Sequence, residues 1–251
     1  MLEQIQVATL DLPDEVAPHV RRRVLRKLLA RPLTLAGAII VLVFVTTALI
    51  GPLVAPRSPD AIFYDAVLAA PSPSFPFGTD DTGRDILSRI IAGAQISLAV
   101  GVVAVTIAMV GGSLLGLIAG YVGGWVDQVV MRCMDILLAF PDILLAIVII
   151  AILGPGLVNV MVAVGIGAIP VYTRTVRASV LSVREQEFVE AARALGVPAW
   201  RIMWWHILRN VTAPIIVLAT LGVGLAILTA AGLSFVGLGA QPPTPEWGDM
   251  L

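Results

Sequence analysis

Long runs without charge alternate with short polar breaks along this chain. The first run, "LTLAGAIIVLVFVTTALIGPLV" at 33–54, carries no charge and has the roughly 20 apolar residues that a membrane helix needs. It exceeds the core of a signal peptide and reads as an uncleaved anchor. The second run is charge-free from Ile90 to Val126, with a span predicted at 96–120. A "GPG" turn at 154–156 splits the next apolar stretch. Residues 143–153 alone would rise only about 16 Å at 1.5 Å per residue, so the third span is predicted at 129–151. It takes in Arg132, Asp135, Pro141 and Asp142. The fourth is predicted at 157–172 and the fifth at 211–238. The pattern predicts an all-α integral membrane protein, a polytopic helical bundle of five spans.

The polar breaks have patterns of their own. The outer loop, 55–95, is proline-rich at first and then reads as a capped helix. In "GTDDTGRDILSRIIAGAQIS", Thr82 and Asp85 stand three apart before an apolar stripe, as in a capping box. Asp80, Asp81 and Asp85 lack the spacing and distal Glu of a calcium loop. The segment "EFVEAARALGVPAWRIMWWHILRN" at 187–210 interrupts the greasy chain most sharply. Phe188, Ala191, Ala192 and Leu195 fall on one helical face, with Glu187, Glu190 and Arg193 off it. Gly196 is a helix stop and Pro198 suits the first turn of a second helix. There Trp200, Met203, Trp204, Ile207 and Leu208 form another stripe. Two readings fit: a loop lying on the bilayer surface, or a docking element for a cytoplasmic partner. Residues 241–251, "QPPTPEWGDML", form a non-helical tail.

Composition agrees with the pattern. The chain is 58% hydrophobic and 13% charged, with a mean hydropathy of +0.96; a soluble domain of this length needs a more charged surface. The net charge of −1 identifies no partner, but its distribution sets orientation. Of 16 Lys and Arg residues, thirteen fall before span one, at Arg132, or between spans four and five. Only Arg57, Arg84 and Arg89 fall outside. The positive-inside bias puts the N-terminus in the cytoplasm. Residues 1–30 form a cytoplasmic tail in which "VRRRVLRKLLARP" reads either as a basic amphipathic helix near membrane lipid or as a plain topology signal.

Candidate chemistry is sparse. One cysteine, Cys133, excludes an internal disulfide and reads as a buried thiol; His19 and His206 are too scattered for a metal site. No metal, cofactor, catalytic constellation or nucleic-acid partner is expected, and no phosphate-binding glycine loop is present. Gly112, Gly116 and Gly120 line one face of span two and allow close helix packing. Asp142, about 20 Å into the third span at 1.5 Å per residue, is the candidate for the translocation path, facing water or a partner; the equal alternative is that Pro141 breaks the helix near the surface and leaves Asp142 interfacial.

"EAARALG" at 190–196 resembles the EAA loop of permease subunits in binding-protein-dependent ABC importers. Glu190, Ala191, Ala192 and Gly196 match its pattern, and so does Leu208. His206 replaces the usual Ile and Arg209 the usual Pro. "FGTDDTGRDILSRIIAGAQISL", "AGYVGGWVDQVVMRCMDILLAFP", "GPGLVNV" and "LSFVGLGAQPPTPEWGDML" extend the resemblance to about 75–251. They are similar to the peptide/nickel branch, above all its C-type dipeptide and oligopeptide permeases.

The resemblance implies a type I importer permease fold and a non-catalytic subunit of a bacterial inner membrane. It implies a heterodimer with a homologous permease, separate cytoplasmic ATPase subunits, and an extracytoplasmic substrate-binding protein that delivers peptide. In the coupling loop, 173–210, Glu190 would make polar contact with the ATPase. Ala191, Ala192 and Gly196 would give it room, with Leu195 and Pro198 beside them. The family has a sixth span after "PPTPEWG", where this chain stops. Nickel or another small solute is the alternative cargo. An ion-coupled carrier is the rival class, and it would need an internal repeat and midplane ligands, for which only Asp142 qualifies.

Overall fold

The computed structural model describes residues 31–250; the basic amphipathic helix expected over 1–30 lies outside them. The chain divides into two compact units, 1–46 and 47–251. Helix α1, Pro32–Val54, begins in the first and has no charged residue in its sequence. Its side chains in the first unit, Leu33, Val41 and Leu42 among them, are exposed, as lipid-facing residues are. The Thr46 hydroxyl donates to Leu42 O at 2.6 Å, which satisfies it without water.

The second unit is built of α2 (Ile86–Val122), α3 (Gly124–Leu138), α4 (Asp142–Leu153), α5 (Leu157–Val183), α6 (Glu187–Ala194), the short α7 (Ala199–Arg201), a π-helical turn (Ile202–Ile207) and α8 (Leu208–Phe235). No strand forms among the described residues. Four segments are long and apolar enough to cross a membrane: Pro32–Gly51, Ile86–Val122, Leu157–Val183 and Ala199–Phe235. The α3–α4 pair qualifies together and is bent by 94°.

That bend is where the structure departs from the single span expected at 129–151. Pro141 has no N–H to donate and holds the residue before it out of helical conformation. It ends one helix and sits at φ −56°, ψ 137° as the N-cap of the next. Other helices run longer than expected: α2 starts at Ile86, and α5 continues past 172 to Val183.

Helices α2 and α5 make the central contact, through small residues. A Cβ on Gly112 would sit 2.4 Å from Tyr172 Cβ. On Gly116 it would sit 2.6 Å from Thr173 O, and on Gly120 2.8 Å from Val180 Cβ. Lipid is as apolar as Leu, so close packing carries the association, and glycines permit it. Ala104, Ala108, Ala163, Ala226 and Ala230 continue this small-residue core across α2, α5 and α8.

The outer loop is folded, not merely extended. Asp80 accepts from Thr82 N, Thr82 Oγ1, Arg84 N and Arg84 Nε, all at 2.7–2.9 Å. Burial pushes the Asp80 carboxyl up, but these hydrogen bonds outweigh it and hold it below its usual value. The N-cap of α2 is Asp85, accepting from Ser88 N at 3.1 Å. The box expected at Thr82–Asp85 therefore lies one turn early, because Thr82 is occupied by Asp80. Arg57 lies over the Phe63 and Phe75 rings at 5.5 and 4.4 Å.

The tail folds back onto the start of α2. Arg89, 2% exposed, donates to Pro243 O at 3.3 Å and approaches Asp80 and Asp249 at 3.7 and 4.0 Å. Glu246, 1% exposed, accepts from Ser97 Oγ, Gly248 N and Asp249 N. Arg89 and Glu246 thus have partners that offset their desolvation.

Candidate coupling loop and intramembrane cavity

Helix α6 has Glu187 and Glu190 in its first turn and Arg193 in its last, each favourable to the helix dipole. Its end is a Schellman closure: Gly196 N donates to Arg193 O at 2.9 Å and Val197 N to Ala192 O at 3.1 Å. Gly196 has φ +73°, a left-handed conformation that side chains resist. Pro198 follows as the N-cap of α7.

The stripe expected at Phe188, Ala191, Ala192 and Leu195 divides between two faces. Val189 and Ala192 are buried, whereas Phe188 is 40% and Leu195 83% exposed. Glu190 and Ala191 are exposed with them, and the Glu190 carboxylate has no hydrogen bond or ion pair among the described residues. The inner face joins a cluster with Leu117 of α2, Val176 and Val180 of α5, and Ile202 and Ile207. Helix α6 is thus fixed to the ends of α2 and α5 while showing apolar side chains and a carboxylate outward.

The second stripe is also re-registered. The residues that turn inward are Ile202, Ile207, Val211 and Ile215, spaced five, four and four apart. A π turn closes i to i+5, so the first step of five keeps Ile202 and Ile207 on one face. A uniform 3.6 period misses this: Trp200 and Trp204 of the expected stripe are exposed, while Ile207 is buried. Arg209, in place of the motif's proline, lies over the Trp205 ring at 5.3 Å, and α8 runs through it unbroken.

Two ion pairs that sequence reasoning missed tie α3 to α5. Arg177 makes a two-pronged contact with Asp127, and Arg174 Nη2 donates to Asp135 Oδ1 at 2.5 Å. Partners 50 and 39 residues apart leave no local signal. Cys133 is exposed, not buried: Met134 is the residue that α3 buries.

A cavity of about 270 Å³ lies among α2, α4, α5 and α8. Its wall is largely apolar, and Asp142 is its one charged residue. The Tyr172 hydroxyl is used internally, donating to Leu218 O at 3.2 Å, and Thr229 Oγ1 donates to Leu225 O at 3.0 Å. Asp142 is exposed, and among the described residues its carboxylate has no hydrogen bond or ion pair. Pro141 puts it there, by starting α4 at that position. Gly112, Gly116 and Gly120 lie in the α2–α5 contact and not in the cavity wall. No group of three His, Cys, Asp or Glu suited to a metal occurs among the described residues.

Residues 112–251 match the family described as binding-protein-dependent transport system inner membrane component. Residues 20–71 match the N-terminal transmembrane domain of oligopeptide transport permease C. The chain is 51% identical over 230 residues to a dipeptide transport system permease protein of Alkalihalophilus pseudofirmus, covering 92% of this chain and 76% of that protein. It is 47% identical over 223 residues to a di/tripeptide transport system permease protein of Pseudomonas aeruginosa, covering 86% and 74%. A glutathione transport system permease protein of Pectobacterium atrosepticum is 44% identical over 227 residues, covering 90% and 75%.

Proposed function

This chain belongs to the family of binding-protein-dependent transport system inner membrane components, and on that premise we propose that it forms half of the translocation path of an ATP-driven importer of short peptides. It is a multi-pass membrane protein. Its N-terminus lies in the cytoplasm, and Arg174, Arg177, Arg184, Arg193, Arg201 and Arg209 lie on the same side by the positive-inside bias. The substrate class follows the relatives named for dipeptides, di/tripeptides and glutathione.

The observation that carries the mechanism is the two-faced α6. Phe188, Glu190, Ala191 and Leu195 are exposed together, and Val189 and Ala192 anchor the helix to α2 and α5. A surface of that kind docks a partner. The sequence contains no phosphate-binding loop of its own, so the partner is a separate ATPase chain. Glu190 makes the polar contact, Ala191 lets the partner approach, and the Gly196–Pro198 turn fixes the angle to α7. ATP-driven closure of two ATPases displaces the docked helix as a rigid body. The shared cluster passes that displacement to α2 and α5, and the π turn passes it to α8. A homologous second permease completes the path, with the Asp142 cavity on its wall, and an extracytoplasmic binding protein delivers the peptide.

The test is gentle detergent purification of the tagged chain from its native membrane, with mass spectrometry of what accompanies it. A nucleotide-binding ATPase and a second, similar permease are the expected companions. A chain that comes alone, or only with itself, sinks the reading.

A further inference from the structure

The Asp142 cavity has a chemical asymmetry that transport alone does not require. Its neutral polar groups, the Tyr172 and Thr229 hydroxyls, are spent on backbone carbonyls. Its one charge has no partner among the described residues. Ala146, Ala163, Val164, Leu221 and Leu225 supply much of the remaining wall. A carboxylate beside such a wall is stable in two states, hydrated through the open mouth or paired with a cation. The N-terminus of α4, where Asp142 sits, supplies no cation. The complement of this site is a small molecule with a primary ammonium on an apolar body.

Resting on the importer reading above, we infer that Asp142 pairs with the α-ammonium of the peptide in transit, and that the apolar wall receives the first side chain. The headgroup of phosphatidylethanolamine offers the same ammonium. Volume decides between them. About 270 Å³ lies just below the ordinary range of ligand sites, about 300–1,000 Å³, which suits the first residue of a peptide and not a lipid with two acyl chains. Asp142 is then a specificity-determining residue: it distinguishes free from blocked amino termini after the binding protein has released its cargo.

The test uses the assembled complex in detergent, with its partner permease and ATPases and without the binding protein. Two probes are compared by equilibrium binding: Phe-Ala amide, which carries the ammonium, and N-acetyl-Phe-Ala amide, which does not. Wild type is expected to bind the free amine at least about tenfold more tightly, a difference of about 1.4 kcal/mol. Asp142→Asn abolishes that preference and Asp142→Glu retains it. Gly167→Leu weakens both probes without touching the charge, because Gly167 lines the cavity and has no atom within 4 Å of its added Cβ. Equal binding of the two probes, no binding of either, or a preference that survives Asp142→Asn overturns the assignment. Native mass spectrometry of the same complex reads the lipid. Phosphatidylethanolamine held by wild type and lost from Asp142→Asn, with no peptide bound, gives the cavity to lipid and also overturns it. The importer reading fails differently, by absence of ATP-driven uptake in wild type. The ammonium inference fails while uptake proceeds.

Discussion

Arg177 of α5 holds Asp127 of α3 through two of its guanidinium nitrogens, one of them at 2.5 Å. A planar guanidinium matches a carboxylate in this way and fixes orientation as well as distance. The pair, with Arg174–Asp135 beside it, joins the first half of the bent α3–α4 segment to the central helix. Asp127→Asn is expected to lower the stability of the assembled complex by ~1–3 kcal/mol. Adding Arg177→Gln restores part of the loss, since an unpartnered charge is worse than none. Thermal unfolding of the single and double variants measures this. Equal losses in all three would contradict it.

Glu190→Lys reverses the charge on the exposed face of α6 and disturbs no buried contact. Membrane insertion and complex stability in the permease pair stay normal. Recovery of the ATPase falls at least about tenfold, or about 1.4 kcal/mol, and uptake is lost. Pull-down with a fixed amount of ATPase reads the effect, and wild-type recovery counts against the docking role.

Gly196→Val places a β-branched side chain at φ +73°. There is open space around the added Cβ, so the cost is backbone strain alone, ~1–2 kcal/mol. The α6–α7 angle changes before the bundle does. Stimulation of ATP hydrolysis by loaded binding protein should fall, while Gly196→Asn, more tolerant of this conformation, keeps most of it. Unchanged stimulation in the valine variant would refute the role given to the turn.

Gly116→Ala brings a methyl to 2.6 Å from Thr173 O, a backbone atom that cannot rotate away. The α2–α5 contact must open, at ~1–3 kcal/mol. Gly232→Ala in α8 is the control, because no atom lies within 4 Å of its Cβ. A melting temperature lowered by the first and not by the second is the expected result.

Asp80 has a carboxyl held below its ordinary value of 3.8. A depressed carboxyl stabilises the fold in full above the unfolded value and loses that contribution as pH falls through the lower folded value. The outer loop is therefore expected to keep its amide protection from neutral pH to about 4, and to lose it at more acid pH. Hydrogen-exchange protection factors for 79–86, corrected for intrinsic rates, follow this. Asp80→Asn should flatten the dependence; a loop that opens near pH 6 in wild type would be evidence against it.

Much of this was legible along the chain, because a membrane solves one local problem repeatedly. With no water to bond the backbone, an apolar run must close its hydrogen bonds within itself, so 33–54 and 96–120 declare themselves helical without reference to anything else. Gly196 and Pro198 are local in the same sense: a left-handed cap and a helix start depend on the residue's own geometry. Sidedness of faces is different. Phe188 and Val189 are adjacent apolar residues, and only the location of Val176 and Val180 decides that Val189 turns inward and Phe188 stays outside. The step of five from Ile202 to Ile207 makes sense once both are seen against one cluster. Asp127 and Arg177 find each other because the glycine contact sets α5 against α2, and α3 follows α2 directly after Gly123. Asp142 acquires a cavity because Pro141 bends the chain there and α8, some 80 residues later, supplies the opposite wall. Helix formation was determined by each segment's own backbone and apolarity; what each helix faces was decided by packing between segments far apart in the chain.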